Sequence, residues 1–175
     1  MNSLRFSVLA GMVLTAALSR LIPHPPNFSP IAAIALFGGA QFTNKWAAFL
    51  VPLVAMFLSD LVLGLHALIP IIYACFALSV CLGFWLRRHR SAIRVLCMTL
   101  LASALFFFIT NFAVWAFSSI YPKTAFGLIS CYAMAIPYFP NTVLGDLAYS
   151  TVLFGGLWLT ERTIVKTREP LVQIS

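Results

Sequence analysis

Apolar runs long enough to cross a lipid bilayer recur along this chain, and they constrain its fold more than any other feature. A membrane helix needs about 20 predominantly apolar residues. The stretches 4–21, 46–65, 69–86, 95–119 and 141–159 approach or exceed that length, and a shorter one covers 31–42. Only 9% of the residues are charged, whereas a soluble domain carries about 25%. So little charge cannot cover a water-facing surface. A cytosolic enzyme, a secreted disulfide domain and a disordered tail are excluded. The expectation is an all-α integral membrane bundle of about six transmembrane helices, forming a single membrane domain over 1–175.

The first helix is expected from Leu4 to Leu21. Its beginning resembles a signal peptide, with Arg5 before the apolar run and Ala17-Leu18-Ser19 after it, but a retained first span is the simpler reading. The prolines of Pro23-His24-Pro25-Pro26-Asn27-Phe28-Ser29-Pro30 end that helix. Further helices are expected over Ile31–Phe42, Trp46–Leu65, Ile69–Leu86, Val95–Ser119 and Asn141–Leu159. Pro70 suits the first turn of the fourth of the six. The apolar segment Phe126–Pro137 falls short of the roughly 17 residues that a span requires, so it is expected to be re-entrant or interfacial.

The net charge of +7 reads as membrane orientation. Arg87, Arg88, Arg90 and Arg94 share one short loop, and Arg162, Lys166 and Arg168 follow the last helix. Basic loops face the cytoplasm, so both termini are expected there, with Lys45 on the inner side and Arg20 and the turn at His66 on the outer. The location expected is the bacterial cytoplasmic (inner) membrane, with the lipid bilayer as a partner. No aromatic-interleaved basic stretch points to nucleic acid, and no Gly-rich nucleotide loop is present. The cysteines, Cys75, Cys81, Cys97 and Cys131, form no CxxC pair. No cofactor is implied, and no enzyme is expected.

Of the four acids, Glu161 and Glu169 belong to the tail, while Asp60 and Asp146 lie inside apolar runs. Ionisable residues in membrane spans usually face the bundle interior and mark ligand or ion sites, although a hydrogen-bonded Asp that only joins helices is the plain alternative. Asp60 and Asp146 fall at one expected depth near the outer face, together with Tyr73, Cys75, Asn111 and Trp115. The loop bearing His24 and Asn27 lies above them, and Asn141 opens the last helix. One outward-facing substrate pocket formed by His24, Asn27, Asp60, Tyr73, Asn111, Trp115, Asn141 and Asp146 is the economical reading. Plainer roles compete: a loop hydrogen bond for His24, a helix cap for Asn141 and an aromatic belt for Trp115, Tyr121, Tyr132 and Tyr138. Cys75 and His24 are the candidates for a metal. A proton-sharing pair of aspartates, as in an intramembrane protease, is the weakest reading.

The tracts Ser59-Asp60-Leu61-Val62-Leu63-Gly64, Thr110-Asn111-Phe112-Ala113-Val114-Trp115, Tyr121-Pro122-Lys123-Thr124 and Asn141-Thr142-Val143-Leu144-Gly145-Asp146, with the 23–30 tract, resemble an uncharacterised bacterial membrane family. In architecture the chain also resembles the substrate-binding S components of energy-coupling factor (ECF) transporters. That resemblance implies six helices, a vitamin or metal-ion pocket near the outer face, and a first helix whose small residues meet a transmembrane coupling protein with ATPase subunits. Ser7, Gly11, Thr15 and Ser19, spaced by four, would be that contact. The expected function is small-molecule (vitamin-like or metal-containing micronutrient) uptake. The alternatives are a ligand-free structural or assembly subunit and an intramembrane enzyme.

Overall fold

The computed structural model describes residues 3–65, 67–88 and 91–168, with side chains to residue 162. His66, Arg90, Glu169 and the side chains of Lys166 and Arg168 lie outside the described residues. The helices are α1 (Ser3–Leu18), α2 (Ile31–Gln41), α3 (Lys45–Leu63), α4 (Ile69–Leu86), α5 (Ala92–Phe117), α6 (Ala125–Ala135) and α7 (Phe139–Arg168). Turns of 3₁₀ helix cover Ser19–Leu21 and Ile136–Tyr138, and no strand occurs among the described residues. Among the described residues, five stretches are long and apolar enough to cross a membrane: Ser3–Leu21, Lys45–Leu63, Ile69–Leu86, Ala92–Phe117 and Ala125–Arg162. This is an all-helical, multi-pass membrane protein.

Local chemistry sets the helix starts. The side chains of Asn44, Ser91 and Thr124 accept hydrogen bonds from the backbone N–H groups of Trp46, Arg94 and Gly127 at the beginnings of α3, α5 and α6. Each satisfies a donor that the helix itself leaves unpaired. Pro70 occupies the first turn of α4.

α2 is the centre of the bundle. At about 1.5 Å per residue its 11 residues reach about 16 Å, half of a bilayer core. Every residue from Ala32 to Gln41 is buried, so other helices rather than lipid surround it. It meets α4 at backbone distance, because a Cβ on Gly39 would lie 2.1 Å from the Val80 carbonyl oxygen, and one on Gly83 would lie 2.4 Å from that of Leu36. Small residues permit such approach between membrane helices. The Arg87 guanidinium donates to the carbonyls of Gly39, Phe42 and Thr43. A cation thus covers the negative C-terminal end of α2.

The chain ends share one end of the bundle. Arg5 of α1 and Glu161 of α7 form an ion pair at 3.0 Å. The Phe6 and Phe42 rings touch at 5.6 Å, which brings Arg87 to the same end. We call it the basic end.

The segment before the last helix departs from the re-entrant expectation. Cys131 Sγ donates to the Asn111 carbonyl and Tyr132 Oη to that of Phe108, so α6 runs antiparallel to α5. α7 does likewise, through Asp146 with Ser103 and Ser150 with Thr99. The chain therefore does not reverse between α6 and α7. Pro137 sits in the connecting 3₁₀ turn. Its missing N–H breaks the helix without turning it back.

Candidate ligand-binding site

The site starts from the proline-rich tract. Phe28 N–H donates to the Pro25 carbonyl at 3.0 Å, closing a turn over Pro25-Pro26-Asn27-Phe28. Asn27, its third residue, has φ 64°. A turn with Pro second and positive φ third is the type II pattern, and Asn is one of the few non-glycine residues that tolerate it. α7 holds this turn. Asn141 Nδ2 donates to the Pro26 carbonyl at 3.0 Å. Gly145 lets the chain pass, since a Cβ there would lie 2.9 Å from Ser29 N. The Phe28 and Tyr149 rings meet at 6.0 Å.

Beside the turn lies a cavity of about 330 Å³, walled by α4, α5, α6 and the 3₁₀ turn after α6. Its polar groups come from Asn27, Thr110, Asn111, Tyr121 and Tyr138. Ile71, Phe106, Phe107 and Met134 supply apolar wall, and no charged side chain lines it among the described residues. Asn111 donates one N–H to the Phe107 carbonyl at 2.8 Å, which leaves its carbonyl oxygen and other N–H for a ligand. A chamber of about 60 Å³ adjoins, sharing Asn27 and Phe106 and adding Ser29, Thr142 and Asp146. Ser29 Oγ is buried and has no hydrogen-bond partner among the described residues.

Asp146 is 2% exposed and is held by the chain itself. It accepts from Ser103 Oγ at 2.7 Å and faces the backbone N–H groups of Ala32 and Ala33. Pro30, at the N-cap position of α2, makes no side-chain cap bond. Asp146 therefore caps α2 from another helix, placing negative charge at the positive end of its dipole.

Asp60 belongs to a different network. It forms an ion pair with Arg20 at 2.7 Å and accepts from Tyr73 Oη at 2.8 Å. Arg20 also donates to Ser59 Oγ at 2.5 Å. The two aspartates bond to separate partners and not to each other.

Of the residues expected to form one pocket, the structure thus brings Asn27 and Asn111 to the cavity and Asp146 to the chamber beside it. Asp60 and Tyr73 tie the end of α1 to α3 and α4, while Asn141 holds the turn. His24 is exposed, with Nδ1 3.1 Å from the Pro25 carbonyl. Trp115 Nε1 donates to the Pro122 carbonyl at 3.0 Å, and Lys123 Nζ donates to the Trp115 carbonyl. Cys75 is buried, and no group of three or more metal-ligating side chains occurs among the described residues. On α1, Ser7, Gly11 and Thr15 face outward, whereas Ser19 Oγ bonds the Tyr149 hydroxyl at 2.7 Å. Sequence reasoning missed Thr110, Tyr138, Ser103 and the contact of Thr99 with Ser150. The last two had a signal: Thr99 and Ser103 share a helix face, as do Asp146 and Ser150.

Compared with known proteins, residues 1–168 match a family described as a family of unknown function, DUF6580. No curated protein and no solved structure matches the chain.

Proposed function

The chain belongs to the DUF6580 family, and from the site above we propose that it is a small-molecule uptake protein of the S-component type. The observation that carries this is the cavity of about 330 Å³ with an uncharged, largely apolar wall and five polar side chains. Small-molecule sites have this make-up, in volumes of about 300–1,000 Å³. The wall suits a neutral, vitamin-sized ligand with an aromatic or aliphatic body. The amides of Asn27 and Asn111 would orient it, and the tyrosines would contact its edge.

In this reading the protein sits in a bacterial inner membrane with its basic end in the cytoplasm, because Arg88 and Arg94 favour that side. Both termini are then cytoplasmic and the cavity opens outward. The exposed Ser7, Gly11 and Thr15 face of α1 would receive a transmembrane coupling protein with ATPase subunits, as in the ECF transporters.

One observation favours a second reading, a ligand-free structural or assembly subunit. Both intramembrane carboxylates are already satisfied by the chain's own groups. Purification in a mild detergent, followed by mass spectrometry of extracted small molecules, separates the two. Uptake predicts a molecule bound to the wild type and at least tenfold less on Asn111→Ala at equal folded yield. An empty wild-type protein with a stoichiometric protein partner would overturn the uptake reading in favour of the subunit.

A further inference from the structure

A second and larger cavity, about 670 Å³, opens between α5 and α7 toward the basic end. Val95, Leu96, Leu147 and Phe154 give it apolar walls, Thr99, Ser150 and Gln41 add polar groups, and Glu161 at its mouth is neutralised by its ion pair with Arg5. Gln41 is only 5% exposed, and its Oε1 has no hydrogen-bond partner among the described residues. A buried carbonyl oxygen without a donor is costly, so this one calls for a donor from whatever fills the cavity.

The barrier between this cavity and the first site is thin. Asp146 lines the small chamber of the first site and Ser150 lines the second cavity. Four residues apart on α7, they are separated by about 6 Å along the helix. On α5, Phe106 lines the first site and Thr99 the second, about 10 Å apart, with Ser103 between them. The barrier is crossed by two small hydrogen-bonded pairs, Ser103 with Asp146 at 2.7 Å and Thr99 with Ser150 at 3.0 Å. Hydroxyl pairs can exchange partners with a polar ligand at little net cost, which an interlocked apolar layer cannot do.

We propose that the second cavity is a further station for the same ligand, the exit-side counterpart of the first site, and that the Thr99–Ser150 and Ser103–Asp146 pairs form the gate between them. This rests on the uptake reading and adds the route. The ligand class it implies is a neutral small molecule with an apolar body and at least one hydrogen-bond donor, which Gln41 Oε1 would accept on the exit side.

The test needs no ligand. The native cysteines Cys75, Cys81, Cys97 and Cys131 are replaced, and Ser150→Cys, Thr151→Cys and Thr142→Cys are introduced singly. Thr151 is exposed and lines the same cavity as Ser150, so its variant guards against misfolding at Ser150. Membrane vesicles of both orientations are treated with the impermeant anion 2-sulfonatoethyl methanethiosulfonate. The expected result is that S150C and T151C react only from the side bearing Arg88, and T142C only from the other side. In a chain that keeps Cys131 alone, which lines the first cavity, Thr99→Ala with Ser150→Ala should raise its labelling from the Arg88 side at least tenfold. No reaction of S150C and T151C with the impermeant reagent from either side, with full reaction once the protein is unfolded in detergent, would show a lipid-filled groove and overturn the proposal. So would unchanged Cys131 labelling in the gate variant. Because the labelling reads only access, the gate can fail while ligand recovery by mass spectrometry succeeds, and the reverse.

Discussion

Asp60 and Asp146 look alike in the sequence, each a lone acid in an apolar run, yet their partners differ in kind. Asp60 faces a full cation, Arg20. Asp146 faces a hydroxyl and the two orphan N–H groups at the start of α2. Their variants should therefore behave differently. Asp60→Ala leaves the Arg20 charge buried without its carboxylate and is expected to cost about 3–5 kcal/mol, whereas the double variant Arg20→Met with Asp60→Leu recovers most of that. Asp146→Ala strands donors in the bundle and is expected to cost about 1–3 kcal/mol for each unpaired group. Asp146→Asn retains an acceptor oxygen and should lose less. Thermal unfolding in detergent, read by intrinsic fluorescence, ranks all four. Equal losses for Asp146→Ala and Asp146→Asn would refute the capping role.

At the scale of elements, α2 depends on its neighbours at both ends and along its length. Arg87 closes its C-terminal carbonyls, Asp146 its N-terminal donors, and Gly39 with Gly83 brings it to backbone contact with α4. Gly39→Ala or Gly83→Ala forces those backbones apart, and overpacking of this kind costs about 1–3 kcal/mol. Gly11 has no neighbour within 4 Å of a Cβ, so Gly11→Ala is expected to shift stability by less than about 0.5 kcal/mol. If α1 receives a coupling partner, the same Gly11→Ala substitution should still lower the amount of partner that copurifies. Lost stability in Gly11→Ala, or none lost in Gly83→Ala, would contradict this packing. Counting apolar runs placed 31–42 among six spans, although the 11 residues of α2 reach only about half of a bilayer core. It did not reveal that a half-length helix in lipid must be buried all round and capped by residues distant in sequence. The 126–137 segment was likewise too short for a span of its own. Only its pairing with α5 showed that it continues into α7.

At the scale of the whole molecule, the proposed orientation rests on the basic residues and the proposed path on the two hydrogen-bonded pairs between α5 and α7. Arg87 is committed to α2, so Arg88 and Arg94 are the better levers. Replacing both with Glu is expected to weaken the orientation bias. An impermeant thiol reagent against a single cysteine at Ser91 would then label vesicles of both orientations. Labelling confined to one orientation, as in the wild type, would show that other residues fix the topology. The cavity itself was only half legible. Asn111 stood out at the expected depth and Asn27 in the loop above it, but so did Tyr73 and Trp115 at that depth and His24 in that loop, which bond elsewhere. Depth along a span follows from counting residues. Which way a side chain turns depends on how the helices pack.

The sequence by itself determined the environment, the helical class, most of the helix ends and the two acids that matter. These follow from local run length, prolines and charge. Tertiary structure alone decided what those acids do, because their partners, Arg20 for one and the start of α2 for the other, are 40 or more residues away in the chain. It alone also decided where the cavities lie, since a cavity is the space left between helices and no single helix encodes it.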